Sequence, residues 1–395
     1  MLCPVCQTQD LVSFFDGGDV PLFVNVLHED RGSAVNAPKG RIELGGCSAC
    51  GFVHNVAFDP KLVEYAPGYE NSLHGSPTFQ DWATSLAAAL VERHSLAGAR
   101  AVEIGGGRGE FMELLVDAGL SHGLVMDPSA PEDAITPKDP VSGAPGRTFE
   151  LERRLFEPSD ALSGPAPTRL LLTRHVLEHL ADPFAFVSLL AGSAKEAGAG
   201  LYVEVPNGLW TVRDLGIWDL IYEHCSYFTP RALRTLLLRA GADVEIRETY
   251  GDQFLSAEAL SVGAPMSPTP DASPEEDHLR EAFGAAREGT VAAWNQTLAG
   301  WAKTNQRAAI WGAGSKGATF LNTVEDAGVI ACAIDVNDRK VGRFVAGTGH
   351  PIVGADKVGE QKLDAIIVMN PRYMAEIESM ARAAGSDAEV LSIVQ

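Results

Sequence analysis

The sequence predicts an α/β protein in which two Rossmann-like units follow a small N-terminal metal-binding module. Three observations carry this reading: paired Cys-x-x-Cys knuckles at Cys3/Cys6 and Cys47/Cys50, a strand, glycine loop and helix over 101–119, and a second apolar strand and glycine loop over 308–317. The expected division is the metal-binding module over 1–58, a lid or helical connection over 59–98, the first glycine-loop domain over 99–265, a linker and helix over 266–303, and the C-terminal unit over 304–395.

Composition narrows the partners. The 395 residues carry 31 basic and 52 acidic side chains, a formal charge of −21, which argues against a nucleic-acid surface and for a small-molecule substrate. No apolar run approaches the ~20 residues of a membrane span, and no charged-then-apolar leader opens the chain, so no membrane partner and a cytoplasmic location are expected. Nothing in the sequence speaks to oligomeric state. Of six cysteines, four fall in the two knuckles and Cys225 and Cys332 stand alone, which is not a disulfide scaffold.

Each Cys-x-x-Cys turn presents two thiolates to one cation, so Cys3, Cys6, Cys47 and Cys50 predict a closed tetrahedral zinc site with a structural role; a redox dithiol is the alternative. A chelator is then expected to unfold this module without touching the chemistry directly. The stretch that follows holds Tyr65, Tyr69, Glu70, Asn71, Ser72, His74 and Ser76 ahead of a helix over 79–94. It reads either as a substrate-facing lid or as a solvated connection.

In the first glycine loop, Ala101, Val102 and Ile104 lead into glycines at 105, 106, 107 and 109, and a helix over 110–119 follows. The spacing from Glu103 through Gly105 and Gly107 to Gly109 is E-x-G-x-G-x-G rather than the dinucleotide fingerprint. Carboxylates on both sides suit a ligand with a cationic, amino-acid-like end, such as S-adenosylmethionine (SAM), and Asp127 closes the next apolar strand where it can accept from ribose hydroxyls. The constellation resembles the class I methyltransferases; a ligand-free tight turn is the plain alternative.

A Pro/Gly-rich excursion over 128–146 precedes a buried strand over 169–176. The strand is closed by His175-Val-Leu-Glu178-His179, which as a bare string also reads as a zinc-hydrolase helix. Its position beside the glycine loop instead makes His175 a cofactor-lining candidate. A further strand over 201–205 ends in Glu204-Val-Pro-Asn207, and Asn207 is a substrate-binding candidate. Then comes Tyr222-Glu223-His224-Cys225-Ser226-Tyr227-Phe228. A histidine oriented by a carboxylate is the default general base, so His224 and Glu223 are catalytic candidates; a loop-anchoring histidine is the alternative. Thr229 and Pro230 cap a helix over 231–241.

A linker over 266–274 and a helix over 275–303 lead to Gly312-Ala-Gly314-Ser315-Lys316-Gly317, a literal G-x-G-x-x-G, with Asp335 closing the next strand. Alone this predicts a dinucleotide and an NAD-dependent oxidoreductase. Lys316 inside the loop favours instead an anionic group of the substrate held by Gly314, Ser315 and Lys316 at a helix N-terminus, with Asn370 as a further polar contact; a pure scaffold is the third reading.

The order of the two knuckles, E-x-G-x-G-x-G, RHVLEH, EVPN and EH-x-SYFTP resembles the zinc-containing SAM-dependent C-methyltransferases that act on nucleotide-linked 4-keto sugars, over nearly the whole chain. The resemblance implies SAM at the glycine loop, a C-terminal Rossmann-like domain without a redox cofactor that closes over the substrate, proton removal beside the ketone by His224 with Glu223, and help from a tyrosine, Tyr69 or else Tyr65. One departure stands out: the family's tyrosine-histidine-glutamate-histidine reads Ile221-Tyr222-Glu223-His224 here. The expected reaction is C-methylation beside a carbonyl, with Tyr222 or Tyr69 bonding the enolate oxygen and no metal required at the reacting centre. The alternatives are O- or N-methylation of a phosphorylated or carboxylated metabolite, and a non-catalytic binding protein.

Overall fold

The computed structural model describes the chain apart from residues 64–69, 71, 135–147, 215, 269–271 and 395. The N-terminal module supplies β1 (Val12–Pro21), β2 (Lys39–Gly46) and β3 (Val53–Asn55). The middle domain supplies β4 (Arg100–Ile104), β5 (His122–Met126), β6 (Thr148–Glu152), β7 (Thr168–Arg174), β8 (Gly200–Pro206), β9 (Ser226–Tyr227), β10 (Glu245–Thr249) and β11 (Phe254–Ala259). The C-terminal unit supplies β12 (Ala308–Trp311), β13 (Ile330–Asp335), β14 (Ile352–Gly354), β15 (Ala365–Val368) and β16 (Glu389–Ser392).

The central sheet has the order β10-β11-β8-β7-β4-β5-β6. Its strands are parallel from β6 to β8, and β11 runs antiparallel between β8 and β10. The first strand of the domain, β4, thus lies between β5 and β7, and the chain reverses its winding there. Open α/β sheets bind ligands at such a switch point, outside the carboxyl ends of the strands. β4 is buried throughout, as a two-sided parallel strand requires. The C-terminal sheet, β14-β13-β12-β15-β16, is wholly parallel.

The helix Pro77–Arg93 begins on a Ser76 cap with proline at its first position and buries Phe79, Ala83, Ala87 and Leu90, a single 3.6-residue stripe. The 30-residue helix Pro274–Lys303 ties the outer parts together. Near its start Phe283 meets Phe15 of β1 edge-on at 5.2 Å, and near its end Trp294 meets Phe320 at 5.3 Å and donates to the Ile393 carbonyl at 3.2 Å. At 1.5 Å per residue it is about 45 Å long, enough to reach both.

β9 belongs to the middle domain in sequence and to the N-terminal module in space. The order β1-β2-β3-β9 makes it the fourth strand of the module's antiparallel sheet, with Val53 opposite Tyr227 and His54 opposite Ser226. Among the described residues, no helix is long and apolar enough to cross a membrane.

Candidate active site

The glycine loop leaves β4 with left-handed backbone at Gly105 (φ 75°), Gly107 (φ 54°) and Gly109 (φ 80°), which is why glycine stands at each. A Cβ at Gly105 would collide with Val176 Cγ2, so the loop lies directly on the turn that follows β7. Asp127, next after β5, accepts the Gly107 N–H at 2.8 Å and both the N–H and hydroxyl of Ser129 at 2.8 and 2.7 Å, pinning loop to strand end. Under the loop, Glu103 is buried and its Oε2 has no hydrogen-bond partner among the described residues. Burial, opposed by the Arg174 charge, pushes its carboxyl up to about 7.

Beside it, the end of β7 carries a buried charge network. Arg174 Nε donates to Glu204 Oε1 at 2.9 Å, and its guanidinium lies 4.0 Å above the Phe111 ring. His175 has a left-handed backbone (φ 55°), with Nε2 3.2 Å from Glu204 Oε1 and Nδ1 3.4 Å from Glu178 Oε1. Burial alone would depress its pKa, but hydrogen bonds to the two carboxylates raise it to about 9, so this imidazole is charged at neutral pH.

Leu177–His179 forms one 3-10 turn rather than a helix, so His175, Glu178 and His179 are not arranged as a zinc-hydrolase motif. His179 faces His224 instead, ring to ring at 4.8 Å, and its Nδ1 lies 2.9 Å from the Glu223 carbonyl oxygen. A carbonyl only accepts, so Nδ1 carries the proton and the neutral ring keeps its lone pair on Nε2. Burial drives both pKa values down, that of His224 far below the ordinary histidine value. Both rings are therefore in the proton-accepting form at neutral pH.

A strap ties this region to the C-terminal unit. Glu70, buried, accepts from Asn337 Nδ2 at 3.0 Å and from the Ser72 N–H at 3.2 Å, and its carboxylate pairs with Arg108 of the glycine loop at 3.4 Å and Arg339 at 3.7 Å. Ser72 donates to Glu110 at 2.7 Å, and Ser76 donates to Glu376 at 3.0 Å. Of the described residues in the polar cluster ahead of the helix, Glu70 and Ser76 thus reach across to the C-terminal unit and Ser72 to the helix after the glycine loop.

In the N-terminal module Cys3 and Cys50 sulfurs lie 3.7 Å apart and Cys6 and Cys47 3.6 Å apart, too far for disulfides and near the ~3.8 Å edge of a tetrahedron with ~2.3 Å metal–sulfur bonds. All four sulfurs lie within 4.8 Å of one another. Neighbouring thiols force Cys47 down while Cys3 and Cys50 are held up, the pattern of a group that cannot ionise fully without a cation.

A family model described as a methyltransferase domain matches residues 79–245, and one described as a C-methyltransferase C-terminal domain matches residues 273–391. The chain belongs to a C-methyltransferase family. It is a methyltransferase of that family. No curated protein matches it. Among solved structures it is similar to a magnesium protoporphyrin IX methyltransferase from Synechocystis with bound SAH, at 20% identity and TM-score 0.34 over 47% of this chain and 84% of that one. It is also similar to an O-methyltransferase family protein from Burkholderia thailandensis, at 18% identity and TM-score 0.34 over 47% and 59% of the two chains.

Within this C-methyltransferase several expected site residues are placed elsewhere. Tyr222 is buried against the N-terminal module: its hydroxyl accepts the Asp59 N–H at 2.9 Å, its ring lies 5.3 Å from Phe58, and a Cβ at Gly40 would fall on it. Its contacts make it part of the seam rather than an enolate donor. Glu223 is fully buried, and Oε2 accepts from the Val24 N–H at 3.3 Å. Asn207 spends both ends of its amide, accepting from Leu209 N–H as a helix cap and donating to the Asp252 carbonyl at 2.8 Å, so it is a structural residue. Asn370 likewise exchanges two hydrogen bonds with Gln253, at 3.1 and 2.9 Å, and holds two domains together. Lys316 is paired with Asp219 at 2.7 Å. Tyr65 and Tyr69 lie outside the described residues.

The second glycine loop repeats the wiring of the first. Asp335 accepts the Ala313 N–H at 2.8 Å, as Asp127 accepts that of Gly107, but here Lys340 Nζ lies 3.6 Å from the same carboxylate. Gly314 and Ser315 open the helix Ser315–Thr323, and a Cβ at Gly314 would stand 3.7 Å from Lys340 Nζ, so that helix start faces a cation. A hollow of about 510 Å³ lined by Arg31, Asp326, Thr348 and His350 shares no residue with either glycine loop. Glu178, His179 and Glu70 escaped the sequence-based assignment; the i, i+3, i+4 spacing of RHVLEH was the available signal for the first two.

Proposed function

We propose that this enzyme methylates a carbon next to a carbonyl, on a nucleotide-linked keto sugar or a similar intermediate, with His224 as the general base. The single observation behind this is the neutral His179–His224 pair, 4.8 Å apart, in which His179 belongs to the turn that follows Val176, the residue packed on Gly105 of the glycine loop. When bound, SAM supplies a methyl group already activated on a sulfonium. Its fit to the loop is supported by the Gly105–Gly109 cradle, by Oε2 of Glu103, which has no hydrogen-bond partner among the described residues and suits an ammonium, and by Asp127, suited to ribose hydroxyls. His175, next after β7, is assigned to the same site.

In this reading the α-proton passes to an imidazole nitrogen of His224, and the carbon left electron-rich takes the methyl. O- or N-methylation needs a base too, but the C-methyltransferase C-terminal domain favours carbon. His179, fixed in tautomer by the Glu223 carbonyl, orients its neighbour. Tyr69 is the remaining candidate donor to the enolate oxygen. Zinc in the four-cysteine cluster would hold the N-terminal sheet and through it β9, next to His224. The substrate's anionic group is assigned to Gly314 and Ser315, with Lys340 alongside and Lys316 confined by Asp219.

The test is hydrogen exchange. With a nucleotide-linked 4-keto sugar in deuterated water and no methyl donor, wild type should wash deuterium into the α-position and His224→Ala should not, while calorimetry still detects SAM binding to the variant. Methylation with no exchange of a C–H proton would point to a heteroatom acceptor and sink the carbon reading.

A further inference from the structure

We propose that Glu178, His179 and His224 form a second cation site, separate from the four cysteines, for a borderline divalent ion such as zinc or cobalt, and that an ion there takes His224 out of the reaction. One ligand atom from each of the three lies within 4.8 Å of the others. A second observation concerns the carboxylate: Glu178 is 2% exposed, and its Oε2 has no hydrogen-bond partner among the described residues. A buried carboxylate oxygen in that state is costly, and a bound cation would offset the cost.

The histidines are prepared in the way ligands usually are. His179 donates Nδ1–H to the Glu223 carbonyl at 2.9 Å, which fixes the ring and leaves Nε2 as the lone-pair nitrogen. Two imidazoles and one carboxylate suit zinc or cobalt; magnesium prefers oxygen alone. The 4.8 Å spread exceeds the ~3.4 Å between ligands at ~2.1 Å from a tetrahedral ion, so the side chains must close in. His175 Nδ1, 3.4 Å from Glu178 Oε1, also competes with the ion for that carboxylate. This site is therefore weaker than the thiolate site and fills after it.

A metal-bound imidazole nitrogen has no lone pair left for a proton. The silencing clause rests on His224 being the base; the binding clause does not. The test uses the full chain with its cysteine site loaded with zinc, titrated with cobalt alone. A second equivalent should appear with weak visible bands and no thiolate charge-transfer band. It should be lost in His179→Ala and in Glu178→Gln, both of which keep the first. Turnover should fall by about 100-fold or more as the second equivalent binds, the scale of a lost general base. No second equivalent, or one kept by both variants, overturns the site. Binding with unchanged turnover overturns the silencing and the base assignment together, and leaves the site standing.

Discussion

Val53 and Tyr227 stand opposite each other across β3 and β9, so a strand that begins two residues after His224 is the outer strand of the cysteine-bearing module's sheet. The Asn55 N–H also donates to the Cys225 carbonyl at 2.9 Å, extending the contact to the residue next to His224. Metal loss should therefore reach the chemistry, contrary to the expectation from sequence that it would not. Cys47→Ser or chelation should lower turnover at least about tenfold and raise amide exchange over 224–228, while SAM affinity changes far less. Unchanged exchange in that segment after metal removal would refute the coupling.

Glu103 predicts a pH dependence with a definite sign. Its carboxyl, raised to about 7, is largely protonated below that pH, and a cationic ligand binds the carboxylate. SAM binding should tighten by up to about tenfold per pH unit as pH rises toward 7, level off above it, and release a proton, as calorimetry in buffers of different ionisation enthalpy can show. Glu103→Gln should flatten the profile.

The two neutral histidines set a different limb. Because burial holds His224 far below the ordinary histidine value, the acid limb of kcat should lie well below pH 6.5, apart from the limb near 7 seen in SAM binding. A kcat profile that falls through 6.5 as pH drops would contradict the burial of that ring.

At Gly105 the left-handed backbone costs a substituted residue about 1–2 kcal/mol, and the collision with Val176 adds about 1–3 kcal/mol. Gly105→Ala should thus abolish SAM binding while the thermal transition drops by only a few degrees, because the loop sits at a strand end and not in the core.

Glu70 binds the loop residue Arg108 and the C-terminal residues Asn337 and Arg339 through one carboxylate. Glu70→Gln should cost about 1–3 kcal/mol, read as weaker SAM binding and a lower melting temperature, with a weaker salt dependence than wild type. A double-mutant cycle with Arg108→Met should show non-additivity if the strap acts as described.

Local chemistry was legible and long-range satisfaction was not. The glycine loops, their following acids, the knuckles and the helix caps depend on neighbours a few residues away, and they stand where the sequence puts them. The edge strands β6 and β10 are hard to read from sequence because each is five residues long and rich in charge: Thr148–Glu152 alternates but carries only two apolar residues, and Glu245–Thr249 carries one. Tyr222, Asn207 and Asn370 looked chemically available because the groups that consume them, Asp59, Asp252 and Gln253, lie 163, 45 and 117 residues away. The His179–His224 pair needed the same knowledge: each histidine was visible, but nothing in the order of residues brings one ring to the other.

The ammonium of Lys340 beside Asp335 bears on attempts to re-equip the C-terminal unit. Its glycines follow the dinucleotide pattern, yet the carboxylate a ribose would need is already engaged by a lysine that is itself 5% exposed. Anyone grafting a nicotinamide site onto this half would have to evict that cation before the loop could recognise a sugar, and by doing so would unfasten the corner that keeps the loop in shape.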